Sequence, residues 1–144
     1  MTAAAVRTLA RVGAAPLDLA AHVAAVDRPG AGAVATFVGQ VRDHDPRVVG
    51  EVVALEYSAH PDAERVLAEI AVRHAERAGV LGVAVSHRTG RLAVGDLALV
   101  AAVSSAHRQL AFEVCEALVE QVKAELPAWK REVLADGRAV WVGL

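Results

Sequence analysis

Lys123 sits near the end of a long apolar-periodic segment, 106–126, and at 100° per residue it lies about 80° from the centre of the apolar stripe marked by Cys115. That phase places it at a boundary, where an amine can reach the edge of a pocket. A lysine in a last helical turn also complements the helix dipole, so its neighbours decide between the two uses. Those neighbours are cationic: Trp129-Lys130-Arg131 follows Pro127, and Ser104-Ser105-Ala106-His107-Arg108 precedes the helix. Free amides at a helix start together with His107 and Arg108 suit a phosphate, although Ser104 or Ser105 could equally serve as a plain N-cap. A third basic group, Arg42 with His44, opens a charged loop after a Val-rich segment, a common place for ligand contacts, although taken alone this composition reads first as a solvated loop.

Length sets a problem for these groups. A 21-residue helix is about 30 Å long, so its two ends cannot line one small pocket. Either there are two sites, or a second copy of the chain brings one end beside the other.

The elements that must position these residues follow from periodicity. Residues 16–26 predict a short first helix, 33–41 a mostly buried strand, 51–57 a second strand, and 61–78 a second helix stopped at Gly79. Strands are predicted over 81–87 and 97–104, joined by a loop or short hairpin connection over 88–96. The long helix ends at Pro127, and the tail forms a hairpin of 129–134 and 138–142 about Asp136-Gly137. Three helices and about six strands out of strict alternation predict an α+β fold, a mostly antiparallel sheet with about three helices, as a single domain over 1–144.

Composition narrows the function. The chain has 144 residues, and 15 Lys and Arg against 17 Asp and Glu give a net charge of −2. That balance removes the general attraction of a basic domain to nucleic acid or anionic lipid, so any anion site must be local. Two Phe, two Trp and one Tyr are few for base stacking. No apolar run reaches the roughly 18 residues of a membrane helix, and one cysteine excludes an internal disulfide, so neither nucleic acid nor membrane is an expected partner and the cytoplasm is the expected location. The six histidines show no H-x-H or H-E-x-x-H spacing, so no metal is expected, and no G-x-S-x-G or G-x-G-x-x-G occurs. His22, His74 and His87 read as ordinary, partly buried histidines. Cys115 lies mid-stripe, where a thiol has little thiolate character. Any sulfur this chain handled would therefore come from elsewhere.

Four segments carry a resemblance. Gly32-Ala-Val-Ala-Thr-Phe-Val-Gly-Gln-Val-Arg42, His87-Arg-Thr-Gly90 with Gly95-Asp96, Ser104 to Glu113, and Lys123 with Pro127-Ala-Trp-Lys-Arg-Glu132 closely resemble, in order, the large, catalytic subunit of molybdopterin synthase. The first 15 residues and Ser58 to Asp62 are less typical, and no function is carried onto them. The resemblance implies an α/β-hammerhead-like fold and a transferase that puts two sulfurs onto cyclic pyranopterin monophosphate. It implies a small ubiquitin-like partner whose C-terminal Gly-Gly carries the sulfur as a thiocarboxylate, a homodimer at the centre of a heterotetramer, and no cofactor. Active sites shared between neighbouring large subunits would answer the helix-length problem.

By the same resemblance, Lys123 meets the partner's C-terminal glycine and Lys130 is the second active-site lysine. Gln40, Val41 and Arg42, His107 and Arg108, and Lys130, Arg131 and Glu132 correspond to stretches that bind the pterin phosphate and line the pocket. The roles expected are Lys123 as general acid/base, Lys130 assisting, and Arg42, His107, Arg108 and Arg131 holding anions. The alternative from another class is a non-catalytic dimeric α+β module that binds an anionic metabolite or a partner tail and makes no demand on lysine identity.

Overall fold

The computed structural model describes residues 6–144. Its first sheet has the order β1-β4-β6-β2, formed by β1 (Arg7–Gly13), β4 (Val80–Arg88), β6 (Leu97–Ser105) and β2 (Ala33–Gln40). β4 and β2 pair antiparallel with β6, whereas β1 runs parallel to β4, with Arg7 opposite Gly82 and Gly13 opposite Arg88. The second sheet, all antiparallel, has the order β5-β3-β7-β8, from β5 (Gly90–Ala93), β3 (Val52–Ala59), β7 (Ala128–Leu134) and β8 (Ala139–Val142).

Alternation along the central strands explains how the first sheet is covered. Val83, Val85, Ala101 and Val103 face α2 (Ala63–Ala75) and α3 (Arg108–Glu125), where Leu67, Ile70, Val114, Leu118 and Val122 complete the main core. Ala84 and Ala102 point the other way and pack with Val26 beside the short α1 (Leu19–Ala25). α1 begins on an Asp18 cap, whose carboxylate accepts from the Ala21 amide at 3.3 Å. It is pinned to β4 through His22, which bridges the Asp18 carbonyl (2.6 Å) and the Ser86 hydroxyl (2.7 Å). A second core of Val41, Val52, Leu55, Leu92, Ala98 and Leu134 lies against the second sheet.

The α+β arrangement with three helices is as expected, with two strands more. β1 falls within the first 15 residues, where no element was expected, and β5 replaces a stretch read as a loop or short hairpin connection. Residues 1–5 lie outside the described part. The close packing demands small residues at particular points: a Cβ on Gly32 would stand 2.4 Å from the Ala106 carbonyl oxygen, locking the start of β2 against the entry to α3.

Candidate active site

The loop after β2, the inner face of β3 and β7, the end of β4 and the last turn of α3 enclose a cavity of about 480 Å³. That volume suits a small organic ligand. Gln40, Arg42 and His44 enter from β2 and its following loop, Lys123 from α3, and Lys130 and Glu132 from β7. β7 reaches the cavity because Pro127 ends α3: the Leu126 backbone turns extended at ψ 123°, and the strand begins two residues later. Lys123 and Lys130, seven residues apart, thereby line one space from two different elements.

Among the described residues, no carboxylate lies within 4.0 Å of Arg42, Lys123 or Lys130. Burial, followed by the Arg47 charge, pushes the Lys130 ammonium down from its ordinary value. This is a site with positive charge left uncompensated, able to take an anion.

The structure separates the sequence-predicted residues into three groups. Gln40, Arg42, Lys123, Lys130 and Glu132 line the cavity. Val41 adjoins it but buries its side chain in the second core, while its backbone bonds to Asp96 and Gly95 at 3.0 and 2.8 Å. Arg131 faces the opposite side of the second sheet, bound to Glu56 at 3.0 Å with its guanidinium over the Trp141 ring. His107 and Arg108 lie at the other end of α3, beside Gly32, in a shallow pocket of their own. Along the helix axis Arg108 is about 22 Å from Lys123.

Several lining residues went unnoticed in the sequence. His87, read as ordinary, is 5% exposed and lines the cavity, where burial lowers its pKa. Its Nδ1 contacts the Arg88 carbonyl at 2.8 Å, which must accept, so Nδ1 carries the proton and the neutral ring leaves Nε2 as an acceptor. Tyr57 stands edge-on to that ring, 4.9 Å between centroids. Asp45 and Arg47 belong to the loop that Arg42 opens, and only its density of charge marked them. Cys115 is buried in the main core, and burial pushes its thiol up. Among the described residues, no three of His, Cys, Asp and Glu converge as metal ligands, and no helix is long and apolar enough to cross a membrane.

Fold and cavity together define a class: a two-sheet α+β domain that holds two lysines from adjoining elements over a cationic, ligand-sized pocket. Comparison with known proteins gives that class a family. The MoaE protein family matches residues 12–125. The molybdopterin synthase catalytic subunit of Thermoplasma volcanium is 39% identical over 127 residues, which is 88% of this chain and 89% of that protein. Molybdopterin synthase catalytic subunit 1 of Mycobacterium tuberculosis is 41% identical over 129 residues, 89% of this chain and 86% of that protein. The crystal structure of molybdopterin synthase from Staphylococcus aureus shares the fold with a TM-score of 0.82 at 30% identity, covering 99% of this chain and 100% of that one. The chain belongs to the MoaE protein family, the catalytic subunits of molybdopterin synthase.

Proposed function

We propose that this chain transfers sulfur to cyclic pyranopterin monophosphate, forming the dithiolene of molybdopterin, with the sulfur delivered as the C-terminal thiocarboxylate of a small ubiquitin-like partner. The observation that carries the proposal is the meeting of Lys123 and Lys130, neither paired with a carboxylate, in one ligand-sized cavity. Both reactants are anions, and bringing two anions together in a low-dielectric pocket needs positive charge that is not already neutralised. Lys123, in the last turn of α3, serves as general acid/base at the partner's terminus. Lys130 assists it, and Arg42 and Gln40 hold the pterin phosphate at the cavity mouth. The buried, unreactive Cys115 supports a donor outside the chain.

His107 and Arg108 cannot reach the lysines of their own chain, so their part in phosphate binding belongs to a neighbouring copy. This gives a homodimer with sites shared across it, carrying one small partner at each end, working in the cytoplasm.

The test is turnover. The purified chain, a thiocarboxylated partner and cyclic pyranopterin monophosphate should yield the dithiolene pterin, detected as its fluorescent oxidised derivative, and Lys123→Ala should abolish it. A Lys123→Ala enzyme with wild-type turnover at saturating partner would overturn the assignment of Lys123.

A further inference from the structure

The cavity wall carries acids as well as cations, and sulfur transfer as described gives them no task. Glu132 follows Lys130 by two residues on the same face of β7, is 2% exposed, and its Oε2 has no hydrogen-bond partner. Asp45, in the loop between β2 and β3, is 5% exposed. Arg47 engages both Asp45 oxygens: its backbone amide reaches Oδ1 at 2.8 Å, its Nε reaches Oδ1 at 3.1 Å, and its terminal nitrogen reaches Oδ2 at 2.8 Å. The guanidinium therefore neutralises Asp45 and makes no hydrogen bond to Glu132. Asp45 and Glu132 line the same cavity, and among the described residues no cationic group lies within 4.0 Å of Glu132. A buried carboxylate with no cation beside it and no donor on its Oε2 is costly in the charged form, so the proton belongs on Glu132.

We propose that Asp45 is held as the Arg47-bound carboxylate and Glu132 as a neutral acid, and that this makes Glu132 a positioning residue that leaves Lys130 free for an anionic group of the substrate. An ionised Glu132 would compete with that anion for Lys130 and repel it from the cavity. A neutral Glu132 does neither.

The surroundings agree in direction. The Arg47 hydrogen bond holds the Asp45 carboxyl well below the usual range. Burial first, then Asp45, pushes Glu132 up to about 7. The groups facing the pair are Arg42, His44 and Arg47 from the loop, Tyr57 from β3, His87 from β4, Lys123 from α3 and Lys130 from β7. Of these, Lys130 and Arg47 favour ionisation of Glu132, and burial with Asp45 outweighs them. The inference rests on the reading of the cavity as an anion site, and its test can fail independently of that reading.

The test is carbon-13 NMR of the whole chain with labelled carboxyl and lysine side-chain carbons. Glu132 should titrate near pH 7, and the Lys130 ε-carbon should record a step at the same pH that is absent in Glu132→Gln. In Asp45→Asn the Glu132 midpoint should fall by more than about one pH unit. With substrate present, the KM for cyclic pyranopterin monophosphate should rise more than about tenfold between pH 6.5 and 8.5 in the wild type, and stay flat in Glu132→Gln. A wild-type Glu132 midpoint between pH 4 and 5, or a Lys130 step that survives in Glu132→Gln, overturns the proposal even if Asp45→Asn does not fold. Absence of turnover at every pH with the NMR step intact would instead count against sulfur transfer.

Discussion

Lys130 and Arg131 are neighbours in β7 and face opposite sides of the second sheet: Lys130 lines the cavity, and Arg131 is bound to Glu56 at 3.0 Å on the far face. Strand alternation gives the two cations different fates. Lys130→Ala should lower turnover by more than about a hundredfold, the usual scale for a group acting on the proton and charge balance of a transition state. Arg131→Ala removes a half-exposed ion pair and should cost less than about 1 kcal/mol of stability, with turnover lowered less than tenfold. Steady-state turnover and urea denaturation of both variants check this. Equal losses of turnover would place Arg131 in a working site, through a neighbouring copy.

Lys123→Arg separates catalysis from binding. Both side chains are cationic, so partner affinity should stay within about tenfold, but a guanidinium remains protonated and cannot exchange a proton near neutral pH. Turnover should fall by about a hundredfold or more while calorimetry still records the complex. Retained turnover would favour a purely electrostatic role for this position.

The buried acids predict a stability profile with a definite sign. Glu132 has a raised folded-state pKa, so its contribution is full below about 4.5, its ordinary value, and is lost as pH rises through about 7. Asp45 is depressed, so its contribution is present above about 3.8 and is lost as pH falls. Between pH 5 and 8 the wild type should therefore lose roughly 1–3 kcal/mol, and Glu132→Gln should lose less. Urea midpoints at the two pH values measure this. A Glu132→Gln enzyme with the same loss as wild type would locate the pH dependence elsewhere.

The sequence made most of the fold legible because its signals were strong where cores are strong. The α3 stripe, the Val-rich β4 and β6, and the Asp136-Gly137 turn with Gly137 at φ +90° each carry a local signature, and each element falls within about two residues of its expected bounds. β1 escaped because Arg7 and Arg11 interrupt an edge strand that depends on pairing with β4, a partner 75 residues away. β5 has four residues, too few for periodicity to show. At the site, helix phase placed Lys123 correctly at a boundary, but grouping Lys130 with Arg131 overlooked the period of two in a strand already predicted. Asp45 and Glu132 line one cavity from positions 87 apart, and no spacing rule reaches that far.

Cys115 should be dispensable for chemistry. It is buried in the main core and its thiol is pushed up by burial, so thiolate is scarce. Cys115→Ala should keep turnover within about twofold and cost roughly 1–2 kcal/mol through the space left behind. Alkylation of the native chain by iodoacetamide should be far slower than that of the urea-unfolded chain. Rapid native labelling accompanied by loss of turnover would return the thiol to the reaction.

Gly32 tests whether the first sheet positions the distant cationic pair. No unusual dihedral demands glycine there; the demand is space, since a Cβ would lie 2.4 Å from the Ala106 carbonyl oxygen, and a backbone atom cannot swing aside as a side chain can. Gly32→Ala must push β2 away from the entry to α3, where His107 and Arg108 follow. The expected cost is about 2–3 kcal/mol, on the scale of overpacked interiors. Gly13→Ala, with nothing within 4 Å of the added Cβ, should stay within about 0.5 kcal/mol and serves as the control. If His107 and Arg108 hold phosphate for a neighbouring copy, Gly32→Ala should also raise the KM for the pterin at a temperature where the variant is still folded. An unchanged KM with the predicted loss of stability would leave that end of α3 a structural element only.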